Sequence, residues 1–164
     1  MILNDVNFKL ISPFVLGLEK TMKDLCHLKA NRLGLSNKIE DENFGDIGVA
    51  LPVSGKLNGY ICLHTTKEAA LHFHSQIKGD DSALLDDALD DMADLLNQIV
   101  NIARSHYEYT DFSFNAGMPI VYLTPFECPD PYKSLKCISC RYDIAGFECE
   151  MDVRLTCELP VMFT

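Results

Sequence analysis

Residues 85–103 read LDDALDDMADLLNQIVNIA. Apolar residues recur at Leu85, Leu89, Met92, Leu96, Ile99 and Ala103, in steps of four, three, four, three and four. That period belongs to an amphipathic α-helix with a narrow, regular core stripe. A second stripe, Asp87, Asp90, Asp94, Asn97, Asn101 and Arg104, runs along the opposite side. Most solvent-facing stripes use Glu, Lys, Gln and Arg; Asp and Asn are poorer helix formers. Asp86 and Asp87 suit the positive end of the helix dipole, but Asp94 and Asn97 fall mid-helix and gain nothing from it. A solvated acidic face is the plainer reading; a working carboxylate-plus-amide pair is the sharper one. Residues three apart on a helix stand side by side, with β-carbons about 5–6 Å apart. Asp94 and Asn97 can therefore reach one object on a partner. An Asn offers both an acceptor and a donor and can aim a water molecule, while a carboxylate beside it can grip a cation or act as a base. No Ser or Cys nucleophile with a neighbouring His is visible in this region.

The flanking sequence supplies the rest of an α+β domain. Ser12-Pro13-Phe14 reads as a helix start, with Ser12 as cap and Pro13 in the first turn. Phe14, Leu18, Met22 and Leu25 carry that helix to about Cys26. Residues 31–46 are polar and turn-rich and read as a connection. Ile47–Val53 and Gly59–His64 read as a β-hairpin around Ser54–Asn58. Thr65 and Glu68 have capping-box spacing for a short helix that ends near Ile77, before Gly79. Asp80-Asp81-Ser82 then opens the long helix. The last third reads as strands at Phe112–Phe114, Pro119–Leu123, Leu135–Tyr142 and Phe147–Cys157, the final two joined through Ile144-Ala145-Gly146. Pro125, Pro129 and Pro131 around Glu127 and Cys128 read as a loop. The expected architecture is an antiparallel β-sheet with two long helices packed on one face, in a single domain over residues 1–164.

Composition narrows the function. The chain has 164 residues, with 14 Lys and Arg against 24 Asp and Glu, a formal charge of −10. Nucleic acid and anionic membrane surfaces call for the opposite sign, so neither is an expected partner. The N-terminus lacks the basic segment of a signal peptide, and no apolar run approaches the roughly 20 residues of a membrane span; the expected location is cytoplasmic. Seven cysteines, an odd number, are expected as reduced thiols. Cys137 and Cys140 form a lone C-x-x-C on a strand, where they point to opposite faces and chelate poorly; a metal-linked sensor built on these cysteines is the least favoured option, and no metal site is assigned. His72 and His74 diverge around their helix, and they, His27, His64 and His106 read as surface or packing residues. Tyr107 and Tyr109 read as the packing end of the long helix.

The long helix resembles that of the CheC/CheX/FliY family of chemotaxis phosphatases, which act on the phosphorylated response regulator CheY. The family motif is Asp or Ser, three residues, Glu, two residues, Asn, and a Pro about 22 positions later; Asp90, Asp94, Asn97 and Pro119 fit that spacing. Ser12-Pro13-Phe14 is similar to the Asn-Pro-Phe-like opening of the CheX branch. Gly55–His64 followed by Thr66-Lys67-Glu68-Ala69-Ala70 is similar to its Gly-rich hairpin and following helix. The similarity spans roughly residues 8–157. It implies a CheX-like phosphatase that dephosphorylates the aspartyl phosphate of a CheY-type response regulator. Asn97 would orient the attacking water and Asp94 would pair with the regulator's active-site Lys, with Asp90 and Asn101 at the partner-binding surface. It implies no cofactor of the chain's own, the Mg²⁺ belonging to the regulator, and a homodimer formed through an edge strand, which the long C-terminal strands would offer. The alternative is a non-catalytic module of the same fold that docks a response regulator or other signalling protein. Two departures stand out. Asp94 replaces the family's Glu and is one methylene shorter, so the helix would have to dock about an ångström closer. Asn101 stands where CheX-like chains often carry Gly. The cysteine-rich C-terminal hairpin matches no motif of the family.

Overall fold

Helix α3 extends from Leu85 to Tyr107, and the chain's other elements assemble around it. The computed structural model describes residues 7–38, 44–79, 84–123, 128–129 and 132–157. Helix α1 (Asn7–Thr21) continues into a π-helical turn at Met22–Cys26, and α2 spans Lys67–Lys78. The strands are β1 (Ala30–Lys38), β2 (Ile47–Gly55), β3 (Asn58–Thr65), β4 (Phe114–Ala116), β5 (Ile120–Tyr122), β6 (Cys137–Ile144) and β7 (Phe147–Thr156). They form one antiparallel sheet in the order β1-β6-β7-β3-β2-β4, with β5 also paired to β2. The two long helices and the shorter α2 pack on one face, as an α+β fold requires. Among the described residues no helix is long and apolar enough to cross a membrane.

Several local expectations are corrected. Ser12 and Pro13 do not open α1; they lie inside it. An internal proline costs roughly 3 kcal/mol, but the added turn buries Leu10 and Ile11, each worth about 1.5–3 kcal/mol. The Tyr107 hydroxyl donates to the Leu10 carbonyl at 2.9 Å, pinning that turn to the end of α3. At the other end of α1 the π turn shifts the phase, so Cys26 is buried and Leu25 is exposed. Thr66, not Thr65, caps α2 by accepting from the Ala69 amide; the Thr65 hydroxyl bonds the Glu148 carbonyl within the sheet. Gly79 ends α2 in the left-handed conformation as expected. The proposed opening at residues 80–82 and most of the proline loop at 125–131 lie outside the described residues.

Residues 31–38, the first half of the stretch 31–46 read as polar and turn-rich, belong to the edge strand β1 (Ala30–Lys38). Its side chains are almost all exposed, so neither a two-residue nor a 3.6-residue apolar period marks it. It pairs along β6, from Ala30 with Ile144 to Lys38 with Cys137. The C-terminal strands β6 and β7 are thus interior, and the sheet's edges are β1 on one side and β4 with β5 on the other. The β6–β7 hairpin turns at Ala145 and Gly146, both at positive φ, the geometry that matches the right-handed twist of the flanking strands.

α3 buries a broader face than a single stripe. Ala88, Leu95 and Val100 join it, while Leu85 is only partly buried. The reason is position: α3 contacts α1, α2 and the sheet. At Gly17 of α1 the two long helices come so close that a β-carbon would stand 2.8 Å from the Ile99 carbonyl oxygen.

Candidate docking and catalytic surface

The core-facing side of α3 fixes the direction of its other side. With Leu95, Leu96, Ile99, Val100 and Ala103 buried, Asp90, Asp94 and Asn101 are exposed and Asn97 is half-buried. The four sequence-predicted site residues share one face of a single rigid helix. Their side chains make no hydrogen bond or ion pair among the described residues. Asp94 and Asn97 stand one turn apart on this face, where a carboxylate can meet a cation and an amide can hold a water. Pro119 lies partly buried in the connection between β4 and β5, and both strands pack against α3. The preceding Gly117 donates its amide to the Pro52 carbonyl at 2.8 Å, which ties this connection to β2.

Asp91, from the same acidic run, points the other way. It is buried and bonded to Nδ1 of His74 on α2. His74 is therefore an interior partner that clamps α2 to α3. Cys26 lies near this pair, and burial, with the Asp91 charge adding to it, pushes its thiol up to about 12. Tyr107 is buried, as expected for the packing end of the helix, but Tyr109 is almost fully exposed and at positive φ.

The sheet face away from the helices carries a polar network that the sequence reading did not find. Lys38 Nζ contacts Glu150 at 2.9 Å and Asp152 at 3.1 Å. His64 Nε2 lies 3.1 Å from Asp152, Ser139 donates to Asp152, and the Tyr122 hydroxyl sits 3.1 Å from His64 Nδ1. His64 is thus neither alone nor at the surface. Burial pushes the Asp152 carboxyl up, but hydrogen bonds and charge from His64, with Ser139 and Lys38, outweigh it and hold the group below its ordinary value. The ligand atoms of His64, Glu150 and Asp152 lie within 4.8 Å of one another, close enough for a metal ion. The ammonium of Lys38 already stands between the two carboxylates and supplies the positive charge there. The signal was present in β7, where Glu148, Glu150, Asp152 and Arg154 alternate with Cys149, Met151, Val153 and Leu155. A polar series of period two marks a strand's second face. Cys137 lies on this face and Cys140 on the core face, so the C-x-x-C is split across the sheet.

Residues 47–128 match the family model for the chemotaxis phosphatase CheX. No curated protein matches the chain in sequence. In fold the chain is similar to the chemotaxis protein CheX of Desulfovibrio desulfuricans, with a TM-score of 0.80 at 18% identity over 90% of this chain and 99% of that one. CheX of Vibrio vulnificus gives 0.78 at 15% identity, over 90% and 99%. A chain of the CheX–CheY–BeF3–Mg²⁺ complex from Borrelia burgdorferi gives 0.74 at 14% identity, over 89% and 97%. With half of its length matched by the family model and its fold shared nearly end to end with these structures, the chain belongs to the CheX family of chemotaxis proteins.

Proposed function

We propose that this protein hydrolyses the aspartyl phosphate of a CheY-type response regulator. The carrying observation is the pairing of Asp94 and Asn97, one turn apart on the open face of α3 and without partners among the described residues. Membership of the CheX family and the fold shared with a CheX–CheY complex support this reading. In it, α3 docks over the regulator's phosphorylation site. Asn97 accepts from and donates to the attacking water and aligns it with the phosphorus. Asp94 pairs with the regulator's active-site Lys. Asp90 and Asn101, one turn to either side, frame the contact. The Mg²⁺ sits on the regulator, and this chain's contribution is positioning. The protein acts as a homodimer in the same reading, with the exposed edge of β1 as the pairing strand.

The test is the decay of a phosphorylated CheY-type regulator from the same cell, with and without the protein. We expect acceleration that Asn97→Ala removes, with binding of the BeF3-activated regulator retained. Asp94→Glu restores the family's reach and should raise the rate, by up to about 100-fold, since a misplacement of about 1 Å can cost that much. Binding without acceleration would make the protein a docking module instead. Neither binding nor acceleration would sink both readings.

A further inference from the structure

The stripe that carries Asp94 and Asn97 does not end at Asn101. It continues through Arg104 to Glu108, at the C-terminal end of α3, and there it runs into an open pocket of about 320 Å³. Three separate segments wall this pocket: Gly55 at the end of β2 with Lys56 in the following turn, Arg104 of α3 with Glu108 just past its end, and Ser113, Phe114 and Asn115 at the start of β4. It is a built feature. The Lys56 amide donates to the Ser113 carbonyl at 2.9 Å, and the Asn58 side chain bonds both the amide and the carbonyl of Gly55. Gly55 adopts φ +133°, and a β-carbon there would stand 3.1 Å from the Phe114 α-carbon. Arg104 Nε donates to the Phe114 carbonyl at 3.3 Å, which ties the guanidinium to the pocket wall. Its two terminal nitrogens have no partner among the described residues. Lys56 approaches from the other wall, and its nearest acid, the exposed Asp111, is 3.9 Å away, a separation at which surface pairs contribute little.

The charge along this face is therefore polarised. Asp87, Asp90 and Asp94 occupy the first half, amides the middle, and Arg104 with Lys56 the end. The helix dipole accounts for the sign of Arg104 in the last turn. It does not account for Lys56, which comes from a different element to the same pocket. Two cations thus meet in the lining beside Glu108, with the exposed Asp111 3.9 Å from Lys56, in a chain whose formal charge is −10. Seven residues separate Asn97 from Arg104, about 10 Å along the helix.

We infer that the Lys56–Arg104 pocket receives a carboxylate side chain of the docked response regulator, about 10 Å from the phosphate along α3. The inference rests on the proposed function and adds its orientation. A partner that presents a lysine to Asp94 and an acidic side chain to this pocket can lie on the helix in only one direction. The arginine fork suits a carboxylate with two parallel hydrogen bonds, and the lysine adds a point charge.

The experiment is a steady-state assay on the phosphorylated regulator with wild type, Lys56→Glu, and the Lys56→Glu/Arg104→Glu double variant, at low and high salt. Lys56 is exposed and its side chain holds no structural bond beyond the long Asp111 contact, so the single variant reports even if the double variant is unstable. Charge reversal should raise KM about tenfold, mainly through slower association, and the loss should shrink at high salt. An acid-to-lysine scan of the regulator should find one position that restores KM in the reversed variants and weakens binding to wild type. An unchanged KM in an enzyme whose wild type turns over overturns the inference. So does a fall in kcat alone. A variant that loses only inhibition by free inorganic phosphate shows that the pocket holds that anion and not a partner's carboxylate, and overturns it as well. If wild type shows no turnover, the phosphatase reading has failed separately. The same variants then report through their affinity for the BeF3-activated regulator, where an unchanged Kd overturns the inference.

Discussion

A β-carbon at Gly17 would stand 2.8 Å from the Ile99 carbonyl oxygen, closer than such atoms come in folded proteins. The obstacle is backbone, so α1 and α3 would have to part. Ile99 lies two residues beyond Asn97 on α3, which makes this contact a gauge of where the amide is held. Gly17→Ala should cost about 1–3 kcal/mol in chemical denaturation, the range of an overpacked core. It should also lower turnover beyond what the lost stability explains. A melting point equal to wild type would show that the helices yield. At this scale the sequence was informative in one direction. That Asp94 and Asn97 lie on the helix face away from the core was legible, because it follows from spacing alone. Asp91 was not, because only the fold brings His74 to it, and an Asp on the inner flank of an acidic run looks like its neighbours.

At the scale of elements, strand β1 shows what a pattern cannot carry. Its residues are exposed on nearly every side, and its place in the sheet comes from backbone pairing with β6 and from one long side chain. Lys38 crosses beneath β6 to reach Glu150 and Asp152 on β7. Removing it leaves two buried carboxylates facing each other, so Lys38→Ala should cost about 3–5 kcal/mol. Amide exchange should rise first in β1. The pH dependence follows from sign. Asp152 is held below its ordinary value in the folded protein, so it contributes stability above its unfolded value of about 3.9 and loses it as pH falls toward the native one. In the Lys38→Ala variant that acid-side loss should be smaller, because one of the charges favouring ionisation is gone. Equal acid sensitivity in both proteins would remove Lys38 from the network. The helices, the β2–β3 hairpin and the β6–β7 hairpin were legible because each carries its own period and turn residues. The start of α1 was not, since Pro13 imitates a first turn while burial of Leu10 and Ile11 decides the outcome.

At the scale of the molecule, one core unites all three helices with the inner face of the sheet, and the cysteines report its integrity. Six of the seven thiols are buried and Cys157 is half-exposed. Burial pushes Cys137 up to about 12 and Cys149 to about 11, which leaves almost no thiolate to react at neutral pH. Under native conditions a thiol reagent should label about one group per chain promptly, with the rest following only at the rate of opening. Rapid labelling of several would mean a looser core than this packing implies. The long reach of Lys38 also bears on how the chain is made. Its partner Glu150 lies 112 residues downstream, and β6, which β1 must pair along, begins at Cys137. While the chain emerges from the ribosome, β1 has no β6 to pair with until residues 137–144 have been synthesised, and the exposed Leu33 and Leu35 wait with it. The sheet is thus completed from its middle, and the first strand in the sequence is among the last to find its place.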